Sequence, residues 1–562
     1  MFRYQKPSSP DASVVRRGRV VLAVLAVCAL AVCGRLVQLQ IVQHASWRAA
    51  ASSSQERTFE LMPRRGSILD RNGTLLAFDV KATAIAADGF NMTKPLALAD
   101  ILVEELGMAR AEVNDVLYRA SYFTWIDRGV DLETAQRIQH RAAEAGAYGL
   151  IFIDTWKRRY PQGSLASNLI GFVGLDGAGL EGLELAYDES LRGTPTEIHV
   201  LQGADGRTYE TEVVAEGEEG RDLVLSLDAS LQFACEEEIA AGVDEYRASA
   251  GMAIVLDPLT GEVLAMAQDR TYDLNRFWSS VPADRRNLAV TYMFEPGSVF
   301  KVFAGVSALQ AGVVDVADEF DGDDGYVVSG HTIHNADNWD FGRVTFADVI
   351  KDSINTGMVQ VALGLGEDRL HETLLACGFG QLTGIELPGE VDGILRSPDR
   401  WTPLDLASSS IGQSIAVTGI QLACGVAAVA NGGDRINPRI VLETASTRAA
   451  EALSAADTAT MRRLMVSVVE SGTGVLAAVD GFAVAGKTGT AQKAEPGRGY
   501  VDGKYTTLFA GFFPAEAPEV VILVMLDEPR VAHAGGGSTA APIFARIAER
   551  LVLYAQMVPT AN

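Results

Sequence analysis

Cysteine is scarce in this chain: five among 562 residues, an odd number in no repeating spacing. Neither a disulfide framework nor a zinc-type ligand set is present in that pattern. Cys28 and Cys33 fall in an apolar N-terminal run; Cys235, Cys377 and Cys424 are scattered and read as small buried apolar residues. Histidine is almost as thin, with seven in all. The nearest pair, His331-Thr-Ile-His334, has no third ligand and lacks the His-Glu-x-x-His pattern, so it reads as a loop pair and no metal or other cofactor is expected. Positive charge is short too: 47 Lys and Arg face 72 Asp and Glu, a net charge of -25. That balance argues against nucleic acid as a partner, because phosphate binding needs a Lys/Arg excess. No internal repeat, long low-complexity tract or trailing module is visible.

What is present begins with Arg16-Arg17-Gly-Arg19 ahead of an apolar run over residues 20–34. Arg35 interrupts it, and residues 36–42 continue it with Gln38 and Gln40 interspersed. The uninterrupted part falls short of the roughly 20 residues a spanning helix needs. Counting through Val42 reaches that length if Arg35 snorkels to the headgroups. Arg3, Lys6, Arg16, Arg17 and Arg19 predict a cytoplasmic tail over residues 1–19, a transmembrane helix over 20–42, and everything after about residue 45 on the far side. A cleaved signal peptide processed at Ala29-Leu-Ala31 is the alternative. A lipoprotein site at Leu30-Ala-Val-Cys33 is disfavoured by the large Val32. The apolar character persisting past Arg35 favours a retained anchor.

Beyond the anchor, Asn72-Gly73 between short apolar runs predicts a hairpin. Asp70 and Arg71 beside it read as a structural ion pair. Residues 98–149 alternate charged and apolar groups at helical spacing, most clearly over 132–147, before a strand at Ile151-Phe-Ile. Residues 174–184 are glycine-rich and contain Gly177-x-Gly179-x-x-Gly182, which matches a dinucleotide fingerprint. Without a preceding Rossmann strand and βαβ context, a turn-rich linker is the better reading. A strand over 224–228 closes this first region, residues 45–225, for which no site is expected. A helix over 231–243 and a hairpin, 253–257 with 261–266, open the second, residues 226–556. Its last strands are expected at 482–485, 508–513 and 520–526, before a helix over 542–554. A sheet with helices around it makes this an α+β or α/β-like sandwich domain.

Three short strings then decide the chemistry: Ser298-Val-Phe-Lys301, Ser353-Ile-Asn355 and Lys487-Thr488-Gly489. The first places a hydroxyl and an amine three residues apart, on one face of a helix. Phe294-Glu-Pro-Gly-Ser298 breaks structure before an apolar, Ala-rich run, so Ser298 should sit in a helix's first turn, where free N–H groups favour developing negative charge. A serine hydroxyl needs a base to take its proton. Lys301 can be that base only when neutral, a state favoured by desolvation and by a second cation nearby, for which Lys487 is the candidate. Taken singly, each string has a plainer reading: an ordinary solvated helix face for the first, helix caps for Ser353 and Asn355, a surface strand and turn for the third.

Together and in this order the strings resemble those of penicillin-binding proteins and class A β-lactamases. Ile354 in the middle of the second string shifts the resemblance towards the penicillin-binding proteins. Nearly the whole chain resembles a class B penicillin-binding protein, the monofunctional D,D-transpeptidase that cross-links peptidoglycan. Gly34-Arg-Leu-Val-Gln-Leu-Gln40, residues 65–77, Arg159-Tyr-Pro161 and Gly179-Leu-Glu-Gly-Leu-Glu184 look like its non-catalytic pedestal. Asp257 to Met266, Arg286-Asn287, Phe294 to Lys301, Gly412 to Thr418, Asn431-Gly-Gly433 and Gly486 to Gln492 look like its transpeptidase domain. With no glycosyltransferase module upstream, the bifunctional class A enzymes are not expected, and the strings look more like the division or spore-cortex branch. The resemblance implies that Ser298 attacks the carbonyl between two terminal D-alanines of a stem peptide and that Lys301 is its base. It also implies that Ser353 relays a proton to the leaving amine and Asn355 positions Lys301 and substrate. Lys487, Thr488 and Thr490, with Gly489 between them, would hold the donor carboxylate, and the Ser298 and Thr490 N–H groups would form the oxyanion hole. Implied partners are stem peptides on lipid-linked precursor strands, β-lactams as inhibitors, and a membrane glycosyltransferase of the division type with other divisome proteins, through the anchor and the pedestal; for Arg35, simple snorkelling is favoured over pairing within the membrane.

Rival readings are weaker. Gly481-Phe-Ala-Val-Ala-Gly486-Lys487-Thr488 fits a Walker A pattern, but Phe-Ala-Val-Ala prefers a strand and no helix follows convincingly. A β-lactamase or D,D-carboxypeptidase would use the same acyl-enzyme with water as acceptor, yet has no need of anchor and pedestal. An inactive scaffold is disfavoured by the intact motif residues.

Overall fold

The apolar N-terminal run folds as one helix, Ala12–Val37, prolonged by a π-helical turn, Gln38–Val42. This computed structural model describes residues 12–44, 46–47, 56–119, 123–202, 208–444, 448–495 and 499–557. The stretch Ser13–Val42 is long and apolar enough to cross a membrane; at 1.5 Å per residue it spans about 45 Å, more than the ~30 Å hydrocarbon core requires. The helix begins ahead of residue 20, so Arg16, Arg17 and Arg19 lie on its first turns; Arg3 and Lys6 lie outside the described residues. Arg35 does not break it, and its Nη1 donates to Gln38 Oε1 at 2.8 Å. This helix belongs to one compact unit, Met1–Pro63 with Thr194–Glu219. The same unit carries a three-stranded antiparallel sheet of Glu56–Leu61, Thr196–Gln202 and Thr208–Ala215.

The second unit, Arg64–Gly193 with Gly220–Asn562, holds everything else. Asn72-Gly73 does make the expected turn, with Gly73 at φ 84°, joining Ile68–Leu69 to the long strand Leu75–Ala87. Asp70 and Arg71 are not paired with each other. Asp70 accepts from the backbone N–H groups of Asn72, Thr74 and Ala229, whereas Arg71 reaches Glu262 at 3.2 Å. Local turn geometry uses the carboxylate before a salt bridge can. The region expected to be helical throughout contains a strand, Thr124–Asp131, which pairs with Leu75–Ala87 on the edge opposite Leu150–Arg159. Helices Pro95–Leu106, Arg110–Arg119 and Leu132–Glu144 bury Leu102, Val113 and Ile138 against that sheet.

Residues 174–184 are turn-rich, with a single short helix, Gly182–Ala186, and no Rossmann strand, so the dinucleotide match falls. They are more than a linker, because Glu184 is fully buried. Its carboxylate takes Arg65 Nε and Arg158 Nε at 2.7 Å each. Asp188 lies 2.6 Å from Arg65 and Asp79 3.3 Å from Arg158, and Tyr160 donates to Glu184 at 3.2 Å. Removing one partner from such a buried cluster costs about 3–5 kcal/mol.

A strand as short as Leu223–Val224 then runs parallel to Ile68–Leu69, and Asp228 caps the helix Ala229–Tyr246 by accepting from Ser230 and Leu231 N–H. A five-stranded antiparallel sheet follows in the order Val263–Gln268, Ala250–Leu256, Val520–Asp527, Gly499–Phe513, Ala485–Glu495. Period-2 alternation sorts its side chains. Val255, Ile522, Val524 and Phe509 face Ala229–Tyr246 and the terminal helix Ala540–Ala555. Ile254, Leu523, Met525 and Leu508 face the other way, into the larger core with the fully buried helix Gly419–Ala430. Helices on both faces of a mixed α and β chain give the expected α+β sandwich. Cys235, Cys377 and Cys424 are free and buried, as expected of small apolar residues.

Candidate active site

Ser298 lies in a 3-10 turn, Gly297–Val299, that continues into the buried helix Phe300–Gln310. The turn is pressed between two neighbours at glycine-only contacts. Gly297 has φ 54°, and a Cβ there would stand 2.9 Å from the Thr490 carbonyl oxygen; one on Gly412, at φ 77°, would stand 2.0 Å from the Gly297 carbonyl. The turn that carries half-buried Ser298 thus packs against the strand of the third string, three residues before Lys301.

Ser353 lies between the helices Phe346–Lys351 and Asn355–Leu365, and Asn355 opens the second. Neither side chain caps a helix, since Ile354 occupies the cap position and no side chain bonds there. Ser353 instead has φ 62°, a strained conformation for a residue with a side chain. It turns both the carbonyl and the hydroxyl to Lys301, whose Nζ donates to Ser353 O at 2.5 Å, to Ser353 Oγ at 3.1 Å and to Asn355 Oδ1 at 2.7 Å. No hydrogen bond joins Lys301 to Ser298 among the described residues.

Lys487 arrives from the sheet. The strand begins later than expected, at Ala485, and runs through Lys487-Thr-Gly-Thr to Glu495. With Lys487 in a strand and no helix after it, the Walker A reading fails. So does a surface position, because Lys487 is 0 % exposed. Its Nζ donates to Ser353 Oγ at 2.8 Å. One hydroxyl therefore bridges the two buried lysine nitrogens. With both lone pairs taken, its own proton is free to be donated outward.

Neither lysine forms an ion pair among the described residues. Burial pushes the Lys301 amine well below its usual range, and the charge of Lys487 pushes it further. Burial also lowers Lys487, to about 7, although Asp352 partly offsets it. An amine beside a serine that is easily made neutral is what a general base requires.

Thr488 is buried, with its hydroxyl 2.8 Å from that of Thr473, and Gly489 lies under Pro296. Thr490 is exposed, and its Oγ1 accepts from Gly536 N–H at 3.0 Å. Sequence reasoning did not single out Thr473, Gly536 or Glu295. Glu295 accepts from Ser414 N–H at 2.9 Å and from the Tyr500 hydroxyl at 3.1 Å, and burial raises its carboxyl. The run Gly535-Gly-Gly537 was the available signal for a close approach, because a Cβ on Gly536 would stand 2.5 Å from the Gly489 carbonyl. His331 and His334 hold no metal-type cluster, and none exists among the described residues; His334 pairs with Asp324 at 2.7 Å. A cavity of about 790 Å³ lined by Phe78, Arg159 and Trp278 contains none of the motif residues. The chemistry, not the volume, locates the site.

Comparison with known proteins gives the family. Residues 251–549 match the penicillin binding protein transpeptidase domain, and residues 60–225 the penicillin-binding protein dimerisation domain. The peptidoglycan D,D-transpeptidase FtsI of Escherichia coli is 30 % identical over 534 residues, covering 92 % of this chain and 87 % of the relative. Stage V sporulation protein D of Bacillus subtilis is 31 % identical over 530 residues, covering 91 % and 82 %. The crystal structure of penicillin binding protein 3 from Mycobacterium tuberculosis aligns with a TM-score of 0.69 at 30 % identity, over 90 % of this chain and 98 % of that one. The chain belongs to the class B penicillin-binding proteins, with their transpeptidase and dimerisation domains.

Proposed function

We propose that this protein is a membrane-anchored peptidoglycan D,D-transpeptidase that works through an acyl-enzyme on Ser298. The observation that carries the reading is the Ser353 hydroxyl held between two buried lysines, 3.1 Å from Lys301 and 2.8 Å from Lys487. Neutral Lys301 takes the Ser298 proton as Oγ adds to the carbonyl between the two terminal D-alanines of a donor stem peptide. Ser353 passes a proton to the amine as the C–N bond breaks and D-alanine leaves. Asn355 holds Lys301 and the substrate amide. Lys487, Thr488 and Thr490, along the strand that includes Gly489, hold the donor carboxylate, and the Ser298 and Thr490 N–H groups receive the oxyanion. The amine of a second stem peptide then attacks the ester, forming the cross-link and restoring Ser298. β-Lactams present a similar carbonyl and carboxylate and acylate the same oxygen.

The pedestal, about residues 45–225, and the transpeptidase domain, about 226–556, then lie outside the cytoplasm, with the basic start of the helix on the cytoplasmic side. Its setting is cross-linking at the septum or in the spore cortex, beside a membrane glycosyltransferase and other divisome proteins; relatives named as a peptidoglycan D,D-transpeptidase and as a stage V sporulation protein support this reading. The test is to label the detergent-solubilised full chain with a fluorescent penicillin and map the adduct by mass. A stable adduct on Ser298, lost in Ser298→Ala, is expected. Rapid penicillin turnover without a trapped adduct would move the reading to a β-lactamase, and no reaction to a scaffold.

A further inference from the structure

A loop that carries no motif residue determines what Lys301 meets. A primary amide offers an acceptor on one side and two donors on the other. Asn355 gives its oxygen to Lys301 at 2.7 Å and donates from Nδ2 to the main-chain carbonyl of His334 at 2.7 Å. A carbonyl can only accept. Reversing the amide would set oxygen against oxygen at His334 and N–H against N–H at Lys301. The orientation of Asn355 therefore depends on where the His334 carbonyl is held.

Two side chains hold it. The Asp324 carboxylate grips the dipeptide from one side, with Oδ1 accepting from Asn335 N–H at 2.6 Å and Oδ2 bonded to His334 Nδ1 at 2.7 Å. Asn335 is 5 % exposed and uses its whole amide. Its Nδ2 donates to the carbonyls of Gly322 at 2.9 Å and Trp339 at 3.0 Å. Its oxygen accepts from Thr356 N–H at 3.1 Å and is 3.2 Å from the Thr356 hydroxyl. Thr356 follows Asn355, and its N–H is one of the donors a helix leaves unpaired in its first turn. The two asparagines thus cross: the helix residue donates to the loop, and the loop residue accepts from the helix.

We propose that Asp324 and Asn335 are positioning residues that lock the Asn355 amide oxygen onto Lys301 and so set the rate of Ser298 acylation without touching substrate. The proposal rests on the acyl-enzyme reading above. The test measures penicillin acylation of the full chain over a range of concentrations, separating the affinity of the first complex from the limiting acylation rate. Asn335→Ala and Asp324→Ala should lower the limiting rate by roughly ten- to hundredfold, the cost of a small misplacement, with affinity unchanged. Asp324→Asn keeps an oxygen for the Asn335 N–H and a polar atom for His334, and should restore most of the rate. A rate per labelled molecule equal to wild type in both alanine variants overturns the proposal, even where the labelled amount falls, since that pattern marks a purely structural role. A loss confined to affinity overturns it as well. If the wild-type chain itself takes no penicillin on Ser298, the acyl-enzyme reading fails instead.

Discussion

Two pairs of cations are buried among the described residues, and they are neutralised in opposite ways. Arg65 and Arg158 are surrounded by the carboxylates of Asp79, Glu184 and Asp188. Burial pulls the Arg158 pKa down, but Glu184, with other neighbours, more than restores it, so the guanidinium stays charged. Lys301 and Lys487 are equally buried and have a shared hydroxyl, carbonyls and an amide, but no carboxylate ion pair, and both pKa values fall. A buried cation given carboxylates fastens chain segments that are far apart in sequence. One denied them becomes an amine that can lose its proton. The choice of residue follows: arginine stays protonated in proteins and forks to two carboxylates, whereas lysine gives up its charge when desolvated.

The comparison can be broken most severely at Lys301. Lys301→Met should slow penicillin acylation by about 10³–10⁴-fold, ~4–5.5 kcal/mol of barrier, the upper range for a lost general base. The change removes a buried amine with no carboxylate partner but orphans the Ser353 carbonyl and the Asn355 amide oxygen, so the melting temperature should change little. Glu184→Gln should do the reverse: unfolding by denaturant should show a loss of about 3–5 kcal/mol, while molecules that stay folded still acylate. A third experiment uses pH. The folded pKa of Lys487 is about 7, below its ordinary 10.5, so between those values the unfolded chain binds more protons. The wild type should therefore gain stability with rising pH across that window, about 1.4 kcal/mol per unit, relative to Lys487→Met, and the full penalty should be present below about pH 7. The smallest effect is expected for Tyr160→Phe, which removes one hydrogen bond to Glu184 and should cost roughly 1–2 kcal/mol in the same denaturant assay.

The lysine pair was legible in the sequence because its residues sit in short strings, and desolvation together with Lys487 as a second cation was expected to lower Lys301, the direction that burial and Lys487 give it. The hairpins, the helix after Asp228 and the strand Val520–Asp527 were legible from turn residues and apolar runs. The strand bearing Lys487 was misplaced because Lys487-Thr-Gly-Thr-Ala-Gln has no apolar alternation. It is extended because Gly499–Phe513 pairs along its whole length, which no local pattern reveals. Thr124–Asp131 was missed for a related reason, since its charges and Gly129 look like the solvated faces around it. The arginine cluster was not legible at all. Arg65 and Glu184 are 119 positions apart, and Glu184 sits in glycine-rich sequence that reads as a linker.

The central claim is that Ser298 is activated by a lysine kept neutral through burial beside a second lysine. Measuring the second-order rate of penicillin acylation from pH 5 to 10, with the adduct mapped at each pH, tests it most directly. The account predicts an adduct on Ser298 throughout. The rate should rise on the acid side as Lys301 deprotonates, and fall above about pH 7 as Lys487 loses the charge that holds the penicillin carboxylate; the two limbs belong to the coupled pair. A rate that climbs steadily to pH 10, as for an ordinary lysine, or an adduct on another residue, would contradict it.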